Sequence, residues 1–167
     1  MVSDNKNPLV SILLNCYNSS LYISRAIKSV LNQSYKNWEL IIWDDGSSDN
    51  SLEIIKKFED KRIKLYSQKK NSGLGKSRIS AKEKINGTLV SIIDSDDYFD
   101  SHKISKQVAV FNENNNISLC ATWAKFYDKN MQEKKQFNTK LDNMSIVKRL
   151  QFINILPHSS LMYKKKY

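Results

Sequence analysis

The segment LVSIIDSDD, residues 89–97, is an apolar run that leads directly into three carboxylates. A short continuous apolar run of this kind is typical of a strand buried on both faces of a sheet. The same arrangement occurs twice earlier, where residues 9–14 run into NCYN and residues 38–43 run into DDGS. Because ligands bind beyond the carboxyl ends of the strands in an open parallel sheet, the three strand ends are predicted to form one site.

The segments between these strands predict helices. Apolar residues at positions 23, 26, 27, 30 and 31 have the spacing of an amphipathic helix. Further helices are predicted at 48–58, from residue 76 to about 85, and at 102–114, and a strand is predicted at 63–66. The Asn-Gly pair at 86–87 is expected to end the second of these helices. The resulting alternation of strands and helices predicts an α/β fold, with a mostly parallel, Rossmann-like sheet flanked by helices on both faces. Beyond residue 114 we expect a strand near 118–127, a short helix at 145–154 and a strand at 160–163.

Composition and charge limit the classes of function. The 167 residues carry 27 Lys and Arg against 17 Asp and Glu, a net charge of +10. Cys16 and Cys120 are too few for a disulfide scaffold or a four-cysteine zinc site. The N-terminal segment lacks the apolar stretch of a secretory signal, and no apolar run approaches the ~18 residues that cross a bilayer. We therefore expect a cytoplasmic protein, with peripheral contact to the inner face of the membrane as a further option.

Basic residues are concentrated between positions 61 and 84, where nine of them accompany one acidic residue, Glu83. Such a stretch is consistent with a nucleic-acid backbone, an anionic membrane surface or simply the solvated faces of helices. Nucleic acid is the less favoured partner, because Tyr66 is the one aromatic side chain available there for stacking on bases. The lysines at positions 164–166 are a second candidate for contact with an anionic membrane.

The carboxylates at the end of the fourth predicted strand have two interpretations. Oxygen ligands of this kind suit Mg²⁺ or Mn²⁺ together with a phosphate, which favours a metal site at Asp94-x-Asp96. The same acids could instead stabilise the N-terminus of the helix that follows. The segment GLGKS at 73–77 is not a phosphate-binding Walker loop, because Lys70 stands where the first glycine is required. No dinucleotide-binding glycine motif follows the first strand, so neither an ATPase nor a NAD enzyme is indicated.

Four ordered blocks resemble the family 2 glycosyltransferases, which have the GT-A fold. The blocks are PLVSILLNCYN at 8–18, SVLNQSY followed by WELIIWDDGSSD at 29–49, NSG followed by KSR at 71–78, and IDSDD at 93–97. They extend across about the first 105 residues. The resemblance implies an enzyme that transfers a sugar, with inversion, from a nucleotide-sugar, expected to be a UDP-sugar, to a glycan or lipid-linked acceptor. It also implies Mn²⁺ or Mg²⁺ as cofactor.

The resemblance assigns roles to individual residues. The base would contact Tyr17 and the backbone near Asn15, and would donate a hydrogen bond to Asp45, whereas Asp44 is expected to be structural. The diphosphate charge would be offset by Lys76 or Arg78. Asp94 and Asp96 would flank the ribose and the metal. The predicted metal ligands are Asp96 and Asp97. Taken together, the predicted donor-binding residues are Asn15, Tyr17, Asp45, Lys76, Arg78, Asp94 and Asp96.

The sequence departs from this family in its second half. Family members use a carboxylate base after a Gly-Gly-Tyr-like segment, and PHSSLMY at 157–163 resembles the strand just before that segment. Asp128, Glu133 and Asp142 do not stand in the matching motif, so the catalytic base is expected to lie outside this chain. We therefore expect residues 1–167 to be one GT-A-like domain that is incomplete at its C-terminus. In it, residues 8–105 form the donor-binding half and 106–167 begin the acceptor half.

Two questions stay open at this stage. His158 is interpreted either as a contact to the acceptor or as a capping or core residue. The alternative to a transferase is a non-catalytic module that binds a nucleotide-sugar or a nucleic acid.

Overall fold

The computed structural model describes residues 6–128, 130–137, 142–151 and 155–166. Strands and helices alternate along the first two thirds of the chain, as the apolar periodicity predicts. The elements, in chain order, are β1 (Val10–Cys16), α1 (Ile23–Leu31), β2 (Trp38–Asp44), α2 (Ser51–Lys56), β3 (Ile63–Ser67), α3 (Leu74–Lys82), β4 (Leu89–Asp94), α4 (Lys103–Glu113), β5 (Leu119–Ala121), β6 (Ala124–Tyr127), β7 (Glu133–Phe137), α5 (Asn143–Leu150) and β8 (Leu161–Lys164). A short 3-10 turn, His158–Ser160, precedes β8.

Six strands form one mixed sheet in the order β3-β2-β1-β4-β8-β5. The pairs β1–β2, β1–β4 and β2–β3 are parallel, whereas β8 is antiparallel to both β4 and β5. The predicted mostly parallel sheet is therefore confirmed. Because β1 lies between β2 and β4, the carboxyl ends of these three strands are neighbours.

Helices cover both faces of the sheet, as predicted. Ile12 and Leu14 of β1 belong to a core that α1, α2 and α4 complete. Leu13 points to the opposite face, where it packs with residues of α3 and the segment after it, including Ala81 and Ile85. Successive side chains of β1 enter opposite cores, which explains why the strand is a nearly continuous apolar run.

The second half of the chain differs from the expectation in two places. The single strand expected near 118–127 is two strands, because the chain leaves the main sheet after Ala121. β6 then pairs with β7 in a separate two-stranded antiparallel sheet. β7 was not predicted, because its sequence EKKQF is polar and almost fully exposed, so no apolar alternation marks it. The expected helix at 145–154 starts earlier, at Asn143, with the side chain of Asp142 capping the Ser145 amide, and its residues 152–154 lie outside the described part.

Helix α3 ends at Lys82 and not at the Asn-Gly pair of residues 86–87. Gly87 has a different role, because a Cβ atom there would lie 2.5 Å from the Leu9 carbonyl oxygen and 2.7 Å from the Ser11 nitrogen. Glycine is required for this close approach of two backbone segments at the start of β4. Among the described residues, none of the helices is long and apolar enough to cross a membrane.

Candidate functional site

The ends of β1, β2 and β4 meet at the carboxyl edge of the sheet, as the sequence predicts. Asn15 lies in register with Asp94 of β4, and Cys16 lies in register with Asp44 of β2. The Asn15 side chain donates a hydrogen bond to Ser77 Oγ of α3 over 3.2 Å. The site is therefore bounded by three strand ends and the helix that carries the basic residues.

Asp45 is buried and closes the loop of residues 68–73 onto the end of β2. Its Oδ1 accepts hydrogen bonds from the backbone amide and the hydroxyl of Ser72, both over 3.0 Å, and Oδ2 accepts from the Gly73 amide over 3.0 Å. The Gln68 side-chain amide is a further donor to Oδ1. A carboxylate has about four acceptor positions. Because Oδ1 already accepts from three donors, a base that donates to Oδ1 must displace one of them.

Asp44, the last residue of β2, is fully buried. Its Oδ2 accepts a hydrogen bond from the Ser47 amide over 3.1 Å, which shapes the turn after β2. Within the described residues, Oδ1 of the same side chain has no hydrogen-bond partner. Gly46 follows with φ +76°, and a Cβ atom there would lie 2.9 Å from the Asn71 nitrogen. The loop at 68–73 thus passes directly over this turn.

Tyr17 stands at the rim of the site with half of its surface exposed. The loop after β1 is tied to the loop after β2, since the Asn18 amide donates to Ser47 Oγ over 3.0 Å and Asn18 Oδ1 accepts from the Ser48 amide over 2.9 Å. Asn18 adopts φ +48° to make these contacts. The exposed Tyr17 side chain therefore lies beside two loops that hydrogen-bond to each other.

The acidic residues after β4 are held by groups from three other segments. Asp94 accepts a hydrogen bond from Arg78 Nη2 over 3.2 Å. Ser159 Oγ accepts from the Asp94 amide over 3.0 Å and donates to the Asp97 carboxylate. The exposed Asp96 is held through its backbone carbonyl, which accepts from Arg25 Nη2 over 3.0 Å.

The carboxylates are close enough to influence one another. The pKa of Asp97 is raised, first by partial desolvation of the carboxyl group and then by the negative charges of Asp96 and Asp94, against the lowering effect of the Ser159 hydroxyl. A cation that bound here would remove part of this repulsion. The chemistry of the donor set, hard carboxylate oxygens, therefore fits Mg²⁺ or Mn²⁺.

The described residues do not form a complete protein cage for a metal. Within the described ranges, no group of three His, Cys, Asp or Glu residues is arranged to hold a metal ion. Mg²⁺ commonly uses one or two carboxylates and takes its other ligands from substrate phosphates and water. Asp96 and Asp97 can supply the two carboxylates, so a metal that binds together with a diphosphate remains compatible with this geometry.

The basic residues of α3 separate into two kinds. Arg78 is partly buried and directed at the site, where it contacts Asp94 and, over 2.8 Å, Nδ1 of His158. Lys76 is exposed on the same helix. The lysines near the C-terminus contact the fold itself, because Lys164 Nζ donates to the Asn115 carbonyl and Lys165 Nζ donates to the Ile85 carbonyl.

Several residues that shape the site were missed or misjudged in the sequence. Gln68 and Ser72 hold Asp45, Arg25 holds the backbone at Asp96, and Ser159 bridges two acidic residues. His158 is neither a helix cap nor a fully buried core residue, since it lies half-buried beside Arg78. These partners are between 23 and 80 positions apart in the chain. No local pattern could have paired them.

The model of glycosyl transferase family 2 matches residues 11–166, nearly the whole chain. The chain belongs to glycosyltransferase family 2. A glycosyltransferase of Haemophilus influenzae, itself uncharacterized, is 37% identical over 149 residues, which are 87% of this chain and 59% of that protein. The Escherichia coli protein WfgD, a UDP-Glc:alpha-D-GlcNAc-diphosphoundecaprenol beta-1,3-glucosyltransferase, is 39% identical over 107 residues, 64% of this chain and 42% of WfgD.

The same family relationship is visible in three dimensions. The structure of Staphylococcus aureus TarS residues 1–349 in complex with UDP superposes with a TM-score of 0.70 and 25% identity over 93% of this chain and 46% of TarS. The predicted GT-A fold and the resemblance to glycosyltransferase family 2 are therefore confirmed. The chain spans about half the length of the relatives that it matches.

Proposed function

We propose that this family 2 chain binds a UDP-sugar and takes part in transfer of the sugar to a glycan or lipid-linked acceptor. One observation carries the proposal: the exposed ring of Tyr17, the carboxylate of Asp45, the guanidinium of Arg78 and the carboxylates after β4 meet at one edge of the sheet. The TarS complexes with UDP and UDP-GlcNAc and the UDP-Glc specificity in the name of WfgD support UDP as the nucleotide. WfgD also supports a lipid-linked acceptor.

Each part of the donor has a matching group. The uracil ring stacks on Tyr17 near the backbone of Asn15 and donates a hydrogen bond to Asp45, in place of one of the loop donors. The ribose lies beside Asp94 and Asp96. The diphosphate lies toward α3, where Arg78 and Lys76 offset its charge, because a guanidinium binds phosphate oxygens through paired donors.

Asp96 and Asp97 are the residues that would hold Mn²⁺ or Mg²⁺. When bound, the metal stabilises the negative charge that develops on the leaving diphosphate. Arg78 of α3 would offset the same charge. Arg25 holds the backbone carbonyl of Asp96 and Ser159 holds the carboxylate of Asp97, so the backbone of this loop needs little reorganisation when the donor binds.

Transfer with inversion is a single displacement, in which the acceptor oxygen attacks the anomeric carbon from the side opposite the diphosphate and a base accepts the hydroxyl proton. Asp128, Glu133 and Asp142 each have other contacts. Asp128 accepts from the Gln132 amide, Glu133 accepts from Lys125, and Asp142 caps α5. We therefore propose none of these three as the base.

Calorimetric titration with UDP, in Mn²⁺ and in chelator, tests the donor site. We expect saturable binding that requires the metal and that is weaker for GDP. Asp96→Ala should abolish the metal dependence. Asp100→Ala removes a neighbouring exposed carboxylate that caps the His102 amide, and should leave binding unchanged. UDP binding that is identical with and without metal would reject the metal assignment, and no UDP binding at all would reject the donor site.

A further inference from the structure

His158 contacts the side chain of Arg78, and neither helix capping nor core packing explains this contact. Its Nδ1 atom lies 2.8 Å from Arg78 Nη2, and the same Nη2 atom lies 3.2 Å from Asp94 Oδ1. A guanidinium has only donors. His158 Nδ1 must therefore accept this hydrogen bond, which fixes the ring proton on Nε2. The histidine and the aspartate thus hold the end of the Arg78 side chain between them.

Arg78 depends on these two partners. Its Nε atom is buried and, among the described residues, has no hydrogen-bond partner. Arginine has a long side chain with many rotamers, and a single remaining contact to Asp94 would leave much of that freedom. The hydrogen bond to His158 removes this rotamer freedom and points the guanidinium along the carboxyl edge of the sheet.

The turn that carries His158 is itself firmly placed. Ser159, the next residue, bridges the Asp94 amide and the Asp97 carboxylate. The Ser160 carbonyl accepts from the Gln107 side-chain amide over 2.9 Å and from the Thr122 amide over 3.1 Å. The same turn therefore sets the position of Arg78 and of the acidic loop, although it follows them by more than sixty positions in the chain.

We propose that His158 is a positioning residue: it orients the Arg78 guanidinium toward the diphosphate and so gives the site its preference for a nucleoside diphosphate over the nucleoside alone. The proposal rests on the proposed function, because it needs a nucleotide at the strand ends. Its physical basis is preorganisation, since a charged donor that is already aligned does not lose rotamer freedom when the phosphate binds.

The test compares UDP with uridine in Mg²⁺, using chemical-shift titration of the ¹⁵N-labelled chain. His158→Phe keeps a planar ring but removes the acceptor. We expect it to raise the Kd for UDP about tenfold, the loss of one charge-assisted hydrogen bond, and to leave the Kd for uridine within about twofold. His158→Asn places an amide oxygen near the Nδ1 position, so it should restore UDP affinity to within about threefold of the original chain.

Two controls separate positioning from folding. His102, the other histidine of the chain, is exposed at the N-cap position of α4 and makes no capping hydrogen bond through its side chain, so His102→Phe should change neither Kd. In an Arg78→Ala background, His158→Phe should have no further effect on UDP binding. If His158→Phe weakens UDP and uridine equally, or if it weakens UDP additively with Arg78→Ala, the positioning role is wrong.

A measurement without nucleotide keeps this proposal distinct from the donor site. The heteronuclear NOE of the Arg78 Nε–H group reports its motion directly, and we expect it to fall in His158→Phe and to recover in His158→Asn. An unchanged NOE would overturn the positioning role even if UDP binds. If His158→Phe lowers the NOE but the original chain binds no UDP, the contact between the two side chains is supported. The proposed donor site, and the diphosphate preference that depends on it, are then both rejected.

Discussion

Replacing Glu39 with glutamine should weaken the fold in a manner that depends on pH. Glu39 is a buried carboxylate of β2, at the edge of the sheet opposite the proposed donor site. It accepts hydrogen bonds from Ser11 Oγ over 2.5 Å, the Asn86 amide over 2.8 Å and Lys64 Nζ over 2.6 Å. Burial raises its pKa, but the hydrogen bonds from Lys64, Ser11 and Asn86 outweigh burial and bring the pKa down from 4.5 to about 2.

The magnitude follows from that difference in pKa. Each pKa unit between the folded and unfolded states corresponds to 1.36 kcal/mol, so the ionised Glu39 contributes about 3 kcal/mol at neutral pH. Because the pKa is depressed in the folded state, the contribution is fully present above about 4.5 and is lost as the pH falls toward 2. At pH 3 about half of it remains.

Urea unfolding of the original chain and of Glu39→Gln at pH 7 and pH 3 measures this directly. We expect the difference in unfolding free energy to be about 3 kcal/mol at pH 7 and to shrink to about half at pH 3. Glu53→Gln, which changes an exposed glutamate of α2, should show no such difference at either pH. A Glu39→Gln deficit that is equal at both pH values would show that lost packing, and not the ionised carboxylate, causes the effect.

Two further predictions concern a pair of glycines and the aromatic residue at the rim of the site. Gly87→Ala should lower the unfolding free energy by roughly 1–3 kcal/mol, because its Cβ would collide with the Leu9 carbonyl. Gly75→Ala in α3 meets nothing within 4 Å and should raise the unfolding free energy by about 0.5–1 kcal/mol. Equal shifts of the two variants in thermal unfolding would contradict this. Tyr17→Ala should weaken UDP binding by about 1–3 kcal/mol through loss of base stacking. Leu21→Ala, which changes an exposed neighbouring side chain, is the control. Similar Kd values for the two variants would reject stacking on Tyr17.

Burial decides how much of this fold the sequence predicts. The strands β1, β2 and β4 contribute side chains to two cores, so each appears as a nearly continuous apolar run followed by polar residues. The hairpin of β6 and β7 lies at the surface and buries almost nothing, so its residues obey no apolar period. The prediction of one strand across 118–127 was wrong for that reason, and β7 was not predicted at all.

The same distinction between local pattern and long-range packing holds for the proposed donor site. Parallel strands in the order β2-β1-β4 must bring their carboxyl ends together, so topology alone placed Asn15, Asp45 and Asp94 at one edge. The partners of these residues come from α3, from the loop at 68–73 and from the turn before β8, a strand that enters the sheet last and antiparallel. Their positions depend on long-range packing. His158 beside Arg78, and Gln68 beside Asp45, could therefore be found only in the folded chain.

Asp45 connects the two ends of the proposed donor site. Its carboxylate holds the backbone amides of Ser72 and Gly73, which lead directly into α3 and therefore into Arg78. The Gln68 side chain and the Ser72 hydroxyl are the donors that a base can displace without moving this backbone. If the base replaces one of them, the two amide bonds remain and α3 keeps its place beside β4. Recognition of the base and alignment of the diphosphate then depend on one buried carboxylate, and its replacement by alanine should impair both.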